Sequence, residues 1–186
     1  MSKNSFTIEY PQKERVIKTK CGVCESFDPN REKDHPIVKT YTALWDTGAT
    51  SSSITKKVID ELNLISTGVT KIYHANGSDT VDTYMVNIIL PNNVGFKCLD
   101  VTEGKLNGTD VLIGMDIISN GDFIISNIND KTTFGFRLPS SNQISFQNEE
   151  YNNHIIIKPY DDKFEQLCPC GSGLKYKECH GKGLEK

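Results

Sequence analysis

Short runs of β-prone residues, separated by turn residues, dominate the hydrophobic and polar pattern of the chain. Runs of this kind, bounded by Gly, Pro, Asn and Asp, are typical of strands joined by turns. The predicted strands are Glu14 to Lys20, Ile37 to Trp45, Val69 to His74, Val81 to Leu90, Val94 to Val101, Val111 to Ile113, Phe123 to Ile128 and Thr132 to Leu138. The pattern therefore predicts a mostly β main body over residues 14–138.

Helical periodicity is scarce, and two stretches are candidates for helices. In Ile54 to Leu64 the apolar residues fall at positions 54, 58, 59, 62 and 64, which predicts one short amphipathic helix. Met115 to Ser119 is the second candidate. Asn76-Gly77 lies between two strand runs and predicts a type I′ hairpin turn, because both central residues of that turn have positive φ.

The length of 186 residues, set against about 150 residues for a typical domain, allows one modest domain and an appendage. Residues 1–13 precede the first predicted strand, and the sequence leaves open whether they are a pro-segment, a dimer strand or a disordered tail. Residues 139–164 are rich in Ser, Asn, Gln and Glu, which predicts a linker. Residues 165–186 are predicted to form a separate compact tail.

The composition narrows the function classes. A hydrophobic content of 37% allows a packed core, and a net charge of −3 argues against a DNA-binding protein, which normally presents a basic face. The N-terminus has no apolar targeting segment, and no stretch approaches the roughly 18 apolar residues of a membrane span. The six cysteines are clustered, which in a reducing compartment favours metal ligands or inert thiols. The sequence therefore predicts a cytoplasmic protein without a membrane partner.

Candidate chemistry begins where an apolar strand runs into Asp46-Thr-Gly. Asp46 supplies a carboxyl, Thr47 a short hydroxyl that can brace a turn, and Gly48 a position without Cβ where a peptide backbone can pass. The triplet alone also suits an ordinary surface turn, so its context decides. That context includes Val111 to Ile117, an apolar strand that leads through Gly114 into the second short helix.

Three landmarks of the chain resemble, in order and spacing, those of the retropepsins, the retroviral and retroviral-like aspartic proteases. They are the Asp-Thr-Gly-Ala loop, the run Ile72 to Ser78 at the position of the flap, and the Leu-Ile-Gly strand. The resemblance implies a retropepsin-like closed β-barrel of the acid-protease fold with one or two short helices. The site residues that it implies are catalytic Asp46; active-site loop Thr47, Gly48 and Ala49; flap Tyr73, His74, Ala75, Asn76 and Gly77; and supporting strand Leu112, Ile113 and Gly114.

The mechanism that the resemblance implies needs two catalytic carboxyls about 3 Å apart that share one proton. The chain contains one Asp-Thr-Gly. Asp116 lacks the Thr-Gly that follows Asp46 and is better interpreted as a cap of the short helix. The partner is therefore predicted to be Asp46 of a second chain in a homodimer. The predicted substrate is an extended polypeptide, and no cofactor is expected for catalysis.

A second group of candidate residues lies in the tail. Cys168, Cys170, Cys179 and His180 supply the four ligands that a closed tetrahedral zinc site needs. A filled ligand shell predicts a structural role for the zinc. The segment resembles the SEC-C motif, which implies docking of a protein partner or a ribosomal surface. Its lysines make it locally basic, and ordinary solvated lysines are the alternative interpretation.

Cys21-Gly-Val-Cys24 has three interpretations, which are half of a metal site, a redox pair or a plain turn. The redox interpretation fails because no βα unit follows. A second metal site, shared across the dimer axis, stays open beside inert structural thiols. Cys98 lies in a strand-like alternation and is predicted to be a small buried hydrophobe.

Three function classes compete for this chain. The first is an aspartic endopeptidase, the second a catalytically silent retropepsin fold that binds peptides, and the third an adaptor that docks protein partners through its zinc knuckle. The intact Asp-Thr-Gly favours the endopeptidase, because a binding module has no chemical need for a carboxyl at that turn. The cleavage specificity is not predictable, since side-chain pockets depend on the folded walls of the site.

Overall fold

The computed structural model describes residues 4–31, 35–74, 77–91, 94–141, 143 and 165–182. The chain divides into two compact units, Met1–Asn142 and Gln143–Lys186. Within the described residues the first unit contains ten strands and two α-helices, and the second contains one short 3₁₀ helix, Tyr176–Glu178. No helix in these ranges has the length and hydrophobicity needed to cross a membrane.

Six strands of the first unit close into a barrel. Their order is β2 (Lys18–Glu25), β3 (Lys39–Trp45), β8 (Val111–Ile113), β4 (Ser53–Ile54), β7 (Val94–Glu103) and β6 (Gly77–Leu90). β6 also pairs with β2, which closes the ring. The strand β5 (Gly68–His74) extends β6 as an antiparallel hairpin. The predicted mostly β fold with a closed barrel is confirmed.

Alternation of side chains along the strands fills the barrel. From Tyr41 onward every second side chain of β3 is buried, and the last of them is Trp45. The helix α1 (Lys56–Leu62) packs Val58 and Ile59 into the same core. Together with α2 (Met115–Ile118) it confirms the prediction of two short helices, although Ile54 belongs to β4 instead of α1.

A second sheet of three antiparallel strands packs through aromatic residues against the end of β3. Its order is β1 (Ser5–Glu9), β10 (Lys131–Arg137) and β9 (Asp122–Ile128). The Trp45 ring centroid lies 5.0 Å from that of Phe134 and 5.1 Å from that of Phe136. Tilted rings at these separations stabilise a contact beyond the area that they bury. The cluster therefore fixes the end of β3, from which the Asp46 loop begins.

The segment 1–13, predicted as a separate N-terminal segment, contains the strand β1. Ser5–Glu9 forms β1 and pairs with β10 of the same chain, with Phe6 opposite Phe136. Phe6 and Ile8 also pack against the core. Because burial and strand pairing both hold this segment, the interpretation of its described residues as disordered does not fit.

Two local predictions are corrected by the strand register. His74 pairs with Gly77, so Gly77 is the first residue of β6 and not part of the predicted turn. Cys98, predicted to be buried, is exposed and has a φ of 54°. A register shift between Val86 and Ile88 disturbs the pairing of β6 with β7 opposite this cysteine. Such a bulge breaks the alternation on which the prediction for Cys98 depended.

Candidate active site and metal site

Asp46 directly follows the last residue of β3. Its backbone N–H donates a 3.0 Å hydrogen bond to the Ile113 carbonyl, which continues the parallel pairing of β3 with β8 one residue beyond the strand. The preceding side chain, Trp45, is buried and donates from Nε1 to Thr19 Oγ1 at 3.0 Å. Because strand residues alternate, Trp45 faces the core and the half-buried Asp46 faces away from it.

The loop after Asp46 turns back on the carboxylate. The Gly48 N–H donates to Asp46 Oδ1 at 2.8 Å, and the Ala49 N–H donates to the Asp46 carbonyl at 3.2 Å. A Cβ at position 48 would lie 3.2 Å from Oδ1, so a side chain there would crowd the carboxylate. Thr47 is exposed. Among the described residues only Oδ1 is engaged, which leaves Oδ2 available to a water or a substrate.

Gly114, the residue that follows β8, packs closely against the loop after Asp46. A Cβ at Gly114 would lie 2.6 Å from the Ser51 carbonyl carbon and 2.7 Å from its oxygen. Backbone atoms cannot retreat from such a contact as a flexible side chain can. The structure thus brings Leu112, Ile113 and Gly114 against the Asp46 loop, with a close backbone approach at Gly114.

We expect Gly114→Ala to lower the free energy of unfolding by about 1–3 kcal/mol, because the new methyl group would overlap the Ser51 backbone. Denaturant titration of the purified variant measures this change. Gly95→Ala is the matched control, since a Cβ at that strand position would meet no atom within 4 Å. Equal stability of the two variants would contradict the close approach at Gly114.

A cleft of about 600 Å³ opens beside the Asp46 loop. One wall is the loop itself, from Gly48 to Ser51, and a second is formed by Thr70 to Tyr73 of β5. The residues that complete the lining are Ser53, Thr102, Glu103, Gly104, Leu106 and Leu112. The lining therefore combines apolar side chains, among them Ile72, Leu106 and Leu112, with hydroxyl groups and two charged residues.

The structure describes part of the predicted flap. Tyr73 lines the cleft and is 78% exposed, while His74 ends β5 and Gly77 begins β6. Ala75 and Asn76 lie outside the described residues. Sequence reasoning missed the wall formed by Thr102 to Leu106, because β7 and the loop after it carry no local motif.

The predicted zinc ligands come together in the second unit. The ligand atoms of Cys168, Cys170, Cys179 and His180 all lie within 4.8 Å of one another. The Sγ atoms of Cys170 and Cys179 are 3.6 Å apart, and His180 Nδ1 is 3.2 Å from Cys168 Sγ. A short hairpin produces this arrangement, since the Cys168 N–H donates to the Leu174 carbonyl at 2.7 Å.

The donor set fits a tetrahedral metal ion. Zinc–sulfur bonds of about 2.3 Å place neighbouring ligand atoms of a tetrahedron about 3.8 Å apart, close to the separations found here. A hydrogen bond from the backbone N–H of Cys170 lowers the pKa of the Cys168 thiol, which favours the thiolate that a metal needs. These four residues are thus compatible with metal binding, with Nδ1 as the histidine ligand atom.

Two family models match the chain, one over the Asp46 loop and one over the candidate metal ligands. Residues 38–120 match the family described as "gag-polyprotein putative aspartyl protease". The chain contains a retropepsin-like domain. Residues 166–182, downstream of this domain, match the SEC-C motif and include all four candidate metal ligands.

Two solved structures are similar to the retropepsin-like domain. A retropepsin-like aspartic protease from Rickettsia conorii is 15% identical, with a TM-score of 0.45 over 74% of this chain and 97% of that chain. The protease of simian foamy virus (mac) is also 15% identical, with a TM-score of 0.34 over 43% of this chain and 81% of that chain. No curated protein matches the chain.

A second cavity of the retropepsin-like domain, about 350 Å³ in volume, also borders Asp46. Its lining is mainly apolar and consists of Arg15, Val16, Ile17, Leu44, Trp45, Asp46, Thr47, Phe123 and Ile125. Two of these residues belong to β9, whose side chains Ile124, Ile125 and Ile128 are 42%, 44% and 68% exposed. Phe123 and Ile125 therefore border the same cavity as Asp46 and Thr47.

Cys21 and Cys24 are buried in β2 of the retropepsin-like domain. Burial raises the pKa of the Cys21 thiol to about 12 and also raises that of Cys24. Burial thus favours the protonated thiol at both positions. Neither cysteine belongs to a group of three or more metal-binding side chains among the described residues. The second metal site shared across a dimer axis stays a prediction, beside the alternative of structural thiols.

The second unit, which carries the SEC-C motif, is called the SEC-C unit below. Two of its lysines form ion pairs with an acidic residue. Glu165 Oε2 lies 2.7 Å from Lys175 Nζ, and Glu165 Oε1 lies 2.5 Å from Lys177 Nζ. Hydrogen bonds from these two lysines lower the pKa of Glu165 to about 2. The local basic character expected from the sequence is therefore reduced, and docking through this unit stays a prediction.

Proposed function

We propose that the protein is an aspartic endopeptidase which acts as a homodimer and hydrolyses peptide bonds of an extended polypeptide. One observation carries the proposal: the Asp46 carboxylate, held by the Gly48 N–H at 2.8 Å, stands in an Asp-Thr-Gly loop that borders a cleft of about 600 Å³. One chain offers one such carboxyl, whereas this chemistry needs two that share a proton. The second is Asp46 of the partner.

The two Asp46 side chains divide the acid and base roles. The ionised one takes a proton from a water as that water attacks the scissile carbonyl, and the protonated one donates a hydrogen bond to the carbonyl oxygen. The attack forms a tetrahedral intermediate. A proton from the dyad then passes to the amide nitrogen as the C–N bond breaks, which yields a carboxylic acid and an amine.

An extended polypeptide suits the cleft because β5 forms one of its walls. Among the described strands β5 pairs with β6 only, so its other edge has free backbone donors and acceptors. A peptide that lies along this edge gains backbone hydrogen bonds whatever its sequence, and the cleft walls select its side chains. Peptide-library cleavage, with and without a general aspartic-protease inhibitor, tests the assignment directly.

The dimer contact is best supplied by β9. Among the described strands β9 pairs only with β10, and its only charged residue, Asp122, bonds to Arg137. Antiparallel pairing of two β9 strands about a twofold axis would therefore bring no like charges together. It would also bring the cavity beside Asp46, which Ile125 lines, to the interface.

We expect Ile125→Asp to weaken the dimer by about 2–5 kcal/mol, because each of the two chains then places an unpaired carboxylate at the interface. Cleavage activity should fall in proportion to the dimer fraction, which sedimentation at the assay concentration measures. Ile65→Asp is the control, since Ile65 is 81% exposed and lies outside β9. A fully active monomer would overturn the shared-site proposal.

Three finer assignments belong with this proposal. Zinc is the expected occupant of the Cys168, Cys170, Cys179 and His180 site, because three thiolates and one imidazole are the ligand types it prefers. A cytoplasmic location fits the six cysteines, all of which are described and none of which forms a disulfide. The SEC-C unit would dock a protein partner or a ribosomal surface.

A further inference from the structure

The carboxylate of Asp116, a residue of α2, forms hydrogen bonds to the loop that follows Asp46, here taken as residues 46–52. Ser52, a wholly buried residue six positions after Asp46, donates from its backbone N–H to Asp116 Oδ2 at 2.8 Å. The Ser52 hydroxyl donates to Asp116 Oδ1, also at 2.8 Å. The two hydrogen-bond donors of Ser52 are thus each paired with a different oxygen of Asp116.

Backbone contacts continue this connection between the loop and α2. The Gly114 N–H donates to Ser52 Oγ at 3.1 Å. The Met115 N–H donates to the Ala49 carbonyl at 2.8 Å, and the Asp116 N–H donates to the Thr50 carbonyl at 3.1 Å. The start of α2 therefore bonds to three residues of the loop that follows Asp46.

The predicted role of Asp116 as a helix cap is corrected by these contacts. Gly114 is the N-cap of α2 and Asp116 is the second helical residue. Besides the two Ser52 donors, Asp116 Oδ1 accepts only the neighbouring Ile117 N–H, at 3.0 Å. Within the described residues, no other side chain from outside the loop forms a hydrogen bond to residues 46–52.

We infer that Asp116 is a positioning residue, which through Ser52 holds the Asp46 loop in the geometry required for cleavage. This inference rests on the proposed endopeptidase function. A carboxylate is the only side-chain group of this size in which both terminal atoms are oxygens that can accept a hydrogen bond. An asparagine at this position would turn an NH₂ group toward the Ser52 hydroxyl, which would then have to accept instead of donate. The bonds to a carboxylate would be replaced by weaker bonds to a neutral amide.

Kinetics separate positioning from general stability. A displacement of about 1 Å at a catalytic group costs about 10²-fold in rate, so D116N should lower kcat by about that factor while KM changes little. S52A should lower kcat as well. The D116N/S52A double variant should be no slower than the slower single variant, because the two residues act as one unit.

The matched control is D110N. Asp110 is also a partly buried carboxylate that accepts a backbone N–H, from Thr42 at 3.1 Å, but it bonds to no residue of the 46–52 loop. D110N should keep the wild-type kcat even where it lowers the melting temperature. A fall in kcat equal to that of D116N would attribute the effect to stability and overturn the inference.

Hydrogen exchange tests the contact without relying on activity. In D116N the amides of Ser52 and Gly48 should exchange at least about tenfold faster, while that of Val86 in β6 stays protected. Unchanged exchange at Ser52 would reject the contact itself. Faster exchange with an unchanged kcat would reject its positioning role. If the wild-type protein cleaves no peptide, the proposed function fails, and faster exchange would then limit Asp116 to a structural role.

Discussion

Replacing Asp46 with asparagine should abolish peptide cleavage and leave the fold and the dimer intact. An asparagine fills the same space and can still accept the Gly48 N–H through its amide oxygen. Its amide nitrogen, however, cannot take a proton from water. We expect kcat to fall by more than about 10⁴-fold, as happens when a central catalytic group of a hydrolase is removed. Peptide cleavage, circular dichroism and sedimentation of the same preparation measure the three properties.

Asp100→Asn provides the matched control for this variant. Asp100 is an exposed aspartate of β7, outside the lining of both cavities that border the Asp46 loop. Its replacement removes one negative charge, as does Asp46→Asn, and should leave kcat unchanged. Cleavage that persists in Asp46→Asn would reject the site. A wild-type protein that binds peptides but cleaves none would instead support the catalytically silent fold.

Mixing wild-type and Asp46→Asn protein tests whether the site is shared between chains. Excess Asp46→Asn subunits, equilibrated with wild-type protein, should draw wild-type chains into heterodimers with one carboxyl each. Activity per wild-type chain should therefore fall toward zero as the excess grows. If each chain acted alone, added Asp46→Asn protein would leave that activity unchanged.

The structure of the Asp46 loop was predictable because its signals are local. Asp46, Gly48 and the Leu112-Ile113-Gly114 strand are short motifs whose residue types follow from backbone geometry, such as the absence of space for a Cβ at Gly114. The strand Val111–Ile113 has the predicted bounds for a similar reason, since a short apolar run between turn residues has few other structures available.

Features that depend on distant partners were not predictable. The two residues of β4 form a strand only because β7 and β8 pair with them, and no local propensity indicates it. Ser52 and Asp116 are 64 positions apart, so nothing in either neighbourhood marks their contact. β1 was missed although Phe6 and Ile8 alternate, because a strand of five residues at a chain end gives a weak signal.

Removal of the metal should unfold the SEC-C unit and spare the barrel. The described part of this unit has almost no apolar core, since Leu167 and Leu174 are 71% and 48% exposed. Metal binding must then supply the stability, and small structural zinc sites contribute on the order of 10 kcal/mol. A chelator should release one zinc per chain and abolish amide protection in residues 165–182, as followed by metal analysis and hydrogen exchange.

Cys168→Ser and Cys24→Ser form a matched pair for this prediction. Both replace a buried thiol, but only Cys168 lies in the metal cluster. Cys168→Ser should lose the zinc and the protection of residues 165–182 while peptide cleavage continues, because those residues lie outside the unit that carries Asp46. Cys24→Ser should keep the zinc and lower only the stability of the barrel. Protection of residues 165–182 that survives both the chelator and Cys168→Ser would show that the unit folds without metal.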